Sequence, residues 1–235
     1  MKTTPLIALI KTSKKPVFSF NDLIKITNQK RTYLKLHLFR LKKRGLIHEV
    51  ERGKYILPQH PYLTASALVF PAYISFLSAY SYYQITTQIP RTIFVVSLRS
   101  KKSLELDNYQ VDFIKFPSVK LFGYKKEIFE DKYIFIAEKE KALIDSLFLP
   151  QYCPLSETHL ALEEGFDTEK LCQYALKMDS IVLLKRLGYL LERQGKDVYP
   201  LLKNKLNKRY DLLNPQRKKT NKKDKKWRLI INEVF

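Results

Sequence analysis

Glycine is scarce, at 6 of 235 residues, and cysteine scarcer still, at 2. So few glycines argue against glycine-rich phosphate loops and against architectures made of many tight turns. Cys153 and Cys172 stand apart, neither in a Cys-x-x-Cys pair. A disulfide scaffold and a zinc finger are thereby excluded, and a reducing cytoplasm is the expected compartment. Long apolar runs are missing as well. The uncharged stretch Leu57–Pro90 is interrupted by Gln, His, Pro and many hydroxyl residues, so it does not read as a transmembrane span. Met1–Ser13 lacks a small-residue cleavage site, and no secretory signal is expected there. Acidic residues are the last deficit, 23 Asp+Glu against 43 Lys+Arg, which leaves a net charge of +20.

What is present fills in the picture. Hydrophobic residues make up 45% and aromatics 13%, too much apolar content for a disordered chain, so one large domain or two modest ones can bury a real core. The positive excess implies a polyanionic partner, and its distribution is uneven. Residues 1–60 carry 14 basic and 3 acidic residues, 61–150 carry 11 and 9, and 151–235 carry 18 and 11. Charge therefore concentrates at the two ends of the chain, around a nearly neutral middle. A membrane-surface role is disfavoured, because the basic residues fall on segments that read as folded.

The first sixty residues have a readable order. Thr4-Pro5 starts a helix with Leu6, Ile7, Leu9 and Ile10 on its apolar face, and Lys14-Lys15-Pro16 stops it. Val17-Phe18 reads as extended. Ser19 or Asn21 caps a second helix, Asp22–Ile26, with Leu23 and Ile26 buried. After a Thr27-Asn28 turn, a third helix runs over Gln29–Arg44, with Leu34, Leu38 and Leu41 as one buried stripe and Gly45 as the stop. Leu46–Val50 and Tyr55–Leu57 read as two strands joined by a turn over Glu51-Arg52-Gly53-Lys54. This is the element order of a winged helix-turn-helix. In that reading Gln29, Lys30, Arg31, Thr32 and Lys35 face a major groove and reach base edges and phosphates, while Arg52 and Lys54 at the hairpin tip touch the neighbouring backbone or minor groove. A solvated basic face is the bland alternative. The charge of residues 1–60 decides for DNA, since phosphate contacts dominate such affinities.

Pro58-Gln59-His60-Pro61 marks a domain boundary. Beyond it, Pro71–Tyr83 reads as a helix with a small-residue face of Ser75, Ser78 and Ala79. Thr92–Ser97, Val111–Phe116 and Tyr133–Ile136 read as strands, and Ala137–Phe148 as an amphipathic helix. In that helix Leu143, Ile144 and Leu147 point inward, and Glu138, Lys139 and Lys141 outward. Asp167 caps a helix reaching Met178, and Ser180 caps the next, Ile181–Gln194, which Gly195 stops. A third helix covers Leu201–Leu206. Arg217–Lys226 holds seven basic residues in ten and reads as an exposed loop before a closing strand that starts at Trp227.

Six segments in order resemble the AbiEi-type antitoxins. They are Tyr73-Ile74-Ser75-x-x-Ser78-Ala79, Gln88-Ile89-Pro90, Ile136 to Asp145, Arg186-Leu187-Gly188-Tyr189-Leu190-Leu191-Glu192, Arg209-Tyr210-x-x-Leu213-x-Pro215 and Trp227-x-x-x-x-Asn232. Those proteins are DNA-binding partners of nucleotidyltransferase-like toxins in two-gene abortive-infection and toxin–antitoxin modules. The resemblance spans nearly the whole chain. It implies binding to double-stranded DNA at the module's own promoter, and a second domain, residues 61–235, that antagonises the cognate toxin. It also makes the face holding Glu138, Lys139 and Lys141, and the Arg217–Lys226 loop, candidate antitoxin surfaces.

Enzyme chemistry has little footing. The chain has no Gly-x-x-x-x-Gly-Lys-Ser/Thr loop, no Gly-x-Gly-x-x-Gly and no His-Glu-x-x-His. His37, His48, His60 and His159 lack metal spacing, so no cofactor is expected. Asp112 followed by Glu130-Asp131-Lys132 loosely matches the Asp…Glu-x-Lys metal site of restriction-type nucleases and keeps a Mg²⁺-dependent nuclease as one alternative. A stand-alone regulator whose second domain dimerises or senses a ligand is the other. The expected fold is α+β: a winged helix over residues 1–60, a small mixed sheet with helices over 61–150, and a helical part with a closing strand over 151–235.

Overall fold

Three leucines spaced for one helix face organise the start of the chain in the computed structural model, which describes residues 5–235. Helix α1 (Pro5–Thr12) starts at the expected proline, and Thr4 lies outside the described residues. A two-residue strand β1 (Phe18–Ser19) leads into α2 (Phe20–Thr27), and α3 (Arg31–Lys43) follows after a three-residue turn. Leu34, Leu38 and Leu41 of α3 are buried against Leu6, Ile7 and Ile10 of α1 and Leu23 of α2, which is the stripe the spacing predicts. Ile26 departs from expectation, being 38% exposed on the outer side of α2. Gly45 has φ +66°, a conformation that ends α3 at no cost to glycine alone. Strands β2 (His48–Glu51) and β3 (Lys54–Ile56) form a bulged hairpin, and β1 joins β3 to give the order β1-β3-β2.

The rest of the chain builds a six-stranded mixed sheet, covered by helices. Helix α4 (Pro61–Ala65) opens at Pro61. The sheet contains β4 (Ala72–Ile74), β5 (Thr92–Ser97), β6 (Leu104–Leu106), β7 (Tyr109–Lys115), β8 (Tyr124–Phe129) and β9 (Lys132–Ala137), in the order β6-β7-β5-β4-β9-β8. Between β4 and β5 lies α5 (Phe76–Tyr82). The single helix expected over Pro71–Tyr83 is therefore a strand followed by a helix. Ala72-Tyr73-Ile74 is a β-prone run that is buried throughout and sits mid-sheet, antiparallel to β5 and parallel to β9. Strands β6 and β8 have no clear signature in the sequence. They are the two edge strands of the sheet, and β8 carries lysines that keep it polar.

Helix α6 (Lys139–Phe148) runs through the centre of the helical layer, against α5, α7 (Leu155–Glu163), α8 (Thr168–Lys177) and α9 (Ile181–Arg193). Its residues from Lys141 to Leu147 are buried without a break, so it is not the one-sided amphipathic helix its charges suggest. Asp167 caps α8 by accepting from the Lys170 amide at 3.1 Å, as expected, whereas the Ser180 side chain makes no cap bond to α9. The helix expected over Leu201–Leu206 is α10 (Tyr199–Leu202) plus a 3₁₀ turn. The chain closes on a small sheet of β10 (Asp211–Leu212), β11 (Lys223–Asp224) and β12 (Leu229–Ile230), in the order β10-β12-β11. This is an α+β architecture. Among the described residues no helix is long and apolar enough to cross a membrane.

Each half has its own buried cluster, and a smaller one, Val17, Ile56 and Leu68, bridges them. Polar contacts reinforce the joint. The Tyr133 amide donates to Lys14 O at 3.0 Å, Lys132 Nζ to Ser13 O at 3.1 Å, and Lys54 Nζ to Leu68 O at 2.6 Å.

Candidate nucleic-acid interface

The turn into α3 is built locally. Ser19 accepts from the Asp22 amide at 3.1 Å, and the Ser19 amide donates to the Asp22 carboxylate at 2.7 Å, a reciprocal cap that fixes the start of α2. Lys15 Nζ reaches the same carboxylate at 2.7 Å. Burial works against ionisation of Asp22, but Lys15 and Ser19 outweigh it and hold its pKa below the usual carboxylate range. Asn28, at φ 51°, ends α2 in the left-handed region with its amide donating to Ile24 O at 2.8 Å, and the chain turns at once into α3.

Helix α3 carries five basic residues and no acidic one. Of the groove-facing residues expected from sequence, Lys30, Arg31, Thr32 and Lys35 are exposed, with the Arg31 guanidinium 5.6 Å from the Phe20 ring centre. Gln29 is half-buried in the turn, and its Oε1 has no hydrogen-bond partner. Arg52 is exposed at the hairpin tip. Lys54 is not: its Nζ donates to Leu68 O at 2.6 Å and pairs with Glu51 at 3.1 Å. It starts β3 on the side turned to the second half, so the expectation of a free DNA contact there is corrected. Glu49 and Glu51 are occupied as well. Glu49 accepts from the Gly53 amide at 2.9 Å and pairs with Lys42, and these partners, the Gly53 amide first, depress its pKa. Glu51 also pairs with Lys101.

Sequence reasoning missed the composition of the outer face of α3. At 3.6 residues per turn, Leu36 lies about 170° round the helix from the mean direction of the leucine stripe, with Thr32, Phe39 and Lys43 beside it. Leu36 is 47% exposed, Phe39 63% and Tyr33 57%. The same periodicity that identifies Leu34, Leu38 and Leu41 reveals these residues when it is applied to the opposite face.

The second expected surface is smaller than its charges suggest. Lys141 is fully buried, a correction to its outward placement, and pairs with the equally buried Asp145. Asp145 also accepts from Ser75 Oγ at 2.8 Å and Tyr73 Oη at 3.1 Å. Burial lowers the pKa of Lys141 and raises that of Asp145, each opposed by the other's charge. Glu138 accepts from Tyr174 Oη at 2.6 Å and pairs with Lys170 at 2.9 Å, and Lys170 also reaches Glu140 at 2.9 Å. Lys139 alone stays exposed, its Nζ 5.7 Å from the Tyr83 ring centre. In the basic run, Arg217 pairs with Glu233 at 3.1 Å, and Lys226 pairs with Glu192. Lys218, Lys219, Lys222, Lys223 and Lys225 project from the surface.

The nuclease-like residues are not brought together. Asp112 lies on β7, and Glu130 and Asp131 form the β8–β9 turn. Two strands separate β7 from β9, a span of about 14 Å at ordinary strand spacing. Lys132 is spent on Ser13 O. Among the described residues no group of three or more His, Cys, Asp or Glu could hold a metal ion. Cys153 and Cys172 are buried, and burial pushes the Cys153 thiol up to about 12, which makes it a poor nucleophile.

No family model and no curated protein matches the chain. The crystal structure of the RV2827C protein from Mycobacterium tuberculosis is similar over 96% of this chain and 89% of that one, with a TM-score of 0.66 and 13% sequence identity. At that identity the likeness shows a shared fold, one that includes both halves of the molecule.

Proposed function

We propose that residues 1–60 form a winged helix-turn-helix that binds double-stranded DNA, and that the chain is a transcriptional regulator acting at its own promoter. One observation carries this reading. A helix docked by three leucines exposes Arg31, Lys35, Arg40 and Lys43 and carries no acidic residue, while the hairpin beside it keeps its two glutamates paired and its tip arginine free. That arrangement complements a phosphate backbone on both sides of a groove-sized helix. The resemblance to the AbiEi-type antitoxins extends the proposal to residues 61–235, as the part that antagonises a nucleotidyltransferase-like toxin. Lys139 and the five unpaired lysines of the Arg217–Lys226 run are its remaining candidate contacts.

Fluorescence anisotropy of the full chain on the DNA upstream of its own gene tests the first part. Affinity should fall steeply with salt, by about 10³–10⁵ between 50 and 200 mM if six to ten phosphates are contacted. Arg31→Ala with Lys35→Ala should weaken binding and flatten the salt slope by about 1 for each phosphate the variant no longer neutralises. Binding that ignores salt, or none at 50 mM, would remove the DNA reading. Co-expression with the neighbouring gene product, scored for growth and for promoter activity, tests the second part: the double variant should lose repression and keep rescue.

A further inference from the structure

A helix meant only for phosphates has no use for Leu36 and Phe39 in water at the centre of its exposed face. Isolated surface apolar residues are common and need no account. Here two large ones adjoin, one turn apart, on the outer half of one helix, with Thr32 beside them and Lys35, Arg40 and Lys43 around them. No other segment of the described chain covers this face. A second copy of the chain fits it poorly, because a two-fold contact would set α3 against α3, with five cations on each and no acid on either. A polyanion with small apolar groups between its charges fits well. In a DNA major groove the 5-methyl groups of thymine are the exposed apolar atoms, and Phe and the methyl of Thr are known classes of partner for them.

We propose that Leu36 and Phe39, with Thr32, read thymine methyl groups, so that the DNA sequence this protein prefers holds thymines beneath the middle of α3. The inference rests on the DNA-binding reading above and deepens it from a site to a base preference. The flanking cations set position and strength, and the apolar pair selects sequence.

The test uses the full chain and the duplex it enriches most strongly from a random pool. Each thymine of that duplex is replaced in turn by deoxyuridine, which pairs identically and lacks only the methyl group. At one or two positions per site, affinity should fall about fourfold, the worth of one buried methyl-sized group. Leu36→Ala and Phe39→Ala, exposed changes that leave the leucine stripe intact, should bind less tightly and lose that sensitivity, each at its own thymine. Equal affinity of the unaltered chain for thymine and deoxyuridine at every position overturns the inference and leaves DNA binding standing. Failure to enrich or bind any DNA overturns both. Sedimentation showing a dimer of the free chain that Phe39→Glu dissociates would assign the face to a second copy and overturn the thymine reading.

Discussion

Asp145 shows how one residue's meaning depends on its surroundings. Its carboxylate is sealed from solvent and takes a pair with Lys141 and two hydroxyl donors, Tyr73 and Ser75. Tyr73 lies on β4 and Ser75 directly after it, whereas Lys141 and Asp145 are one turn apart on α6, so the cluster ties β4 to α6. A charge this deeply buried is tolerated only while fully partnered. Lys141→Met, which leaves Asp145 buried without its counter-ion, should cost about 3–5 kcal/mol in urea unfolding. The double change Lys141→Met/Asp145→Leu should recover most of that loss, the remainder reflecting the two orphaned hydroxyls. If the double variant is no more stable than the single, the pair is not acting as a pair. Several segments that carry the family resemblance belong to such buried clusters, Tyr73, Ser75, Lys141 and Asp145 in one and Gly188 with Trp227 in another. Their chemistry is that of the core and not of a surface.

Elements meet by shape as much as by charge. Gly188 of α9 faces the fully buried Trp227, and a Cβ there would come within 2.0 Å of the ring. Glycine is required by close approach, since its helical backbone carries no positive φ. Trp227 Nε1 also donates to Glu192 at 2.5 Å, and Tyr199 packs edge-on at 5.2 Å, so the ring cannot swing aside. Gly188→Ala should therefore cost about 3 kcal/mol, the upper end for forcing a methyl into a packed core. Gly188→Ala combined with Trp227→Leu should cost clearly less than the two single losses summed, a coupling of about 1–3 kcal/mol on chemical denaturation. Additive losses would mean that the two residues do not share the space the structure gives them. The Arg217–Lys226 run leads into the same joint. Expected as an exposed loop, it holds Lys223-Asp224, which pairs with β12 as strand β11, and the rest is an exposed excursion between Pro215 and Trp227.

At the scale of the molecule, two apolar cores meet across Val17, Ile56 and Leu68, with backbone and lysine contacts beside them. The first sixty residues and the second half are thereby tied together, and Lys54 and Lys132 serve that joint. One histidine in each half reports on the whole. His37 on α3 has its pKa lowered by burial and then by the charge of Arg40. His159 on α7 has its own lowered by burial, with Arg193 adding and Glu163 opposing. Their Nδ1 atoms are buried without partners. A folded-state pKa below the unfolded value near 6.5 means that the unfolded chain takes up more protons as pH falls. The stability these groups contribute is thus complete above about pH 7 and is lost as pH drops through 6.5 and below. The urea midpoint should fall from pH 7.5 to 5.5, and His37→Gln/His159→Gln should shrink that fall. Asp145, whose raised pKa acts in the opposite sense, is common to both proteins and cancels in the comparison. An identical fall in both would show that the histidines are not its source.

Periodicity, caps and breakers by themselves determined the first sixty residues almost element by element. The leucine stripe of α3, the Ser19 cap, the stop at Gly45 and the hairpin after it are decided by contacts a few residues apart, which a sequence displays directly. Thr92–Ser97 was legible from its β-branched and aromatic content, and the helix expected over Ile181–Gln194 from its leucine spacing. Charge distribution alone located the basic surface. Only the tertiary structure decided the rest. Pro71–Tyr83 reads as one helix from the small-residue spacing of Ser75, Ser78 and Ala79, yet Ala72-Tyr73-Ile74 is the strand between β5 and β9, because sheet pairing is settled by residues distant in sequence. Lys141 looked outward because lysine ordinarily is, and it turned inward because α5, α8 and α9 enclose α6 and Asp145 waits one turn away. Lys54 and Lys132 are not free cations for the same physical reason. Whether a charge meets solvent or a partner depends on what another segment brings to it, and one-dimensional spacing carries no information about that.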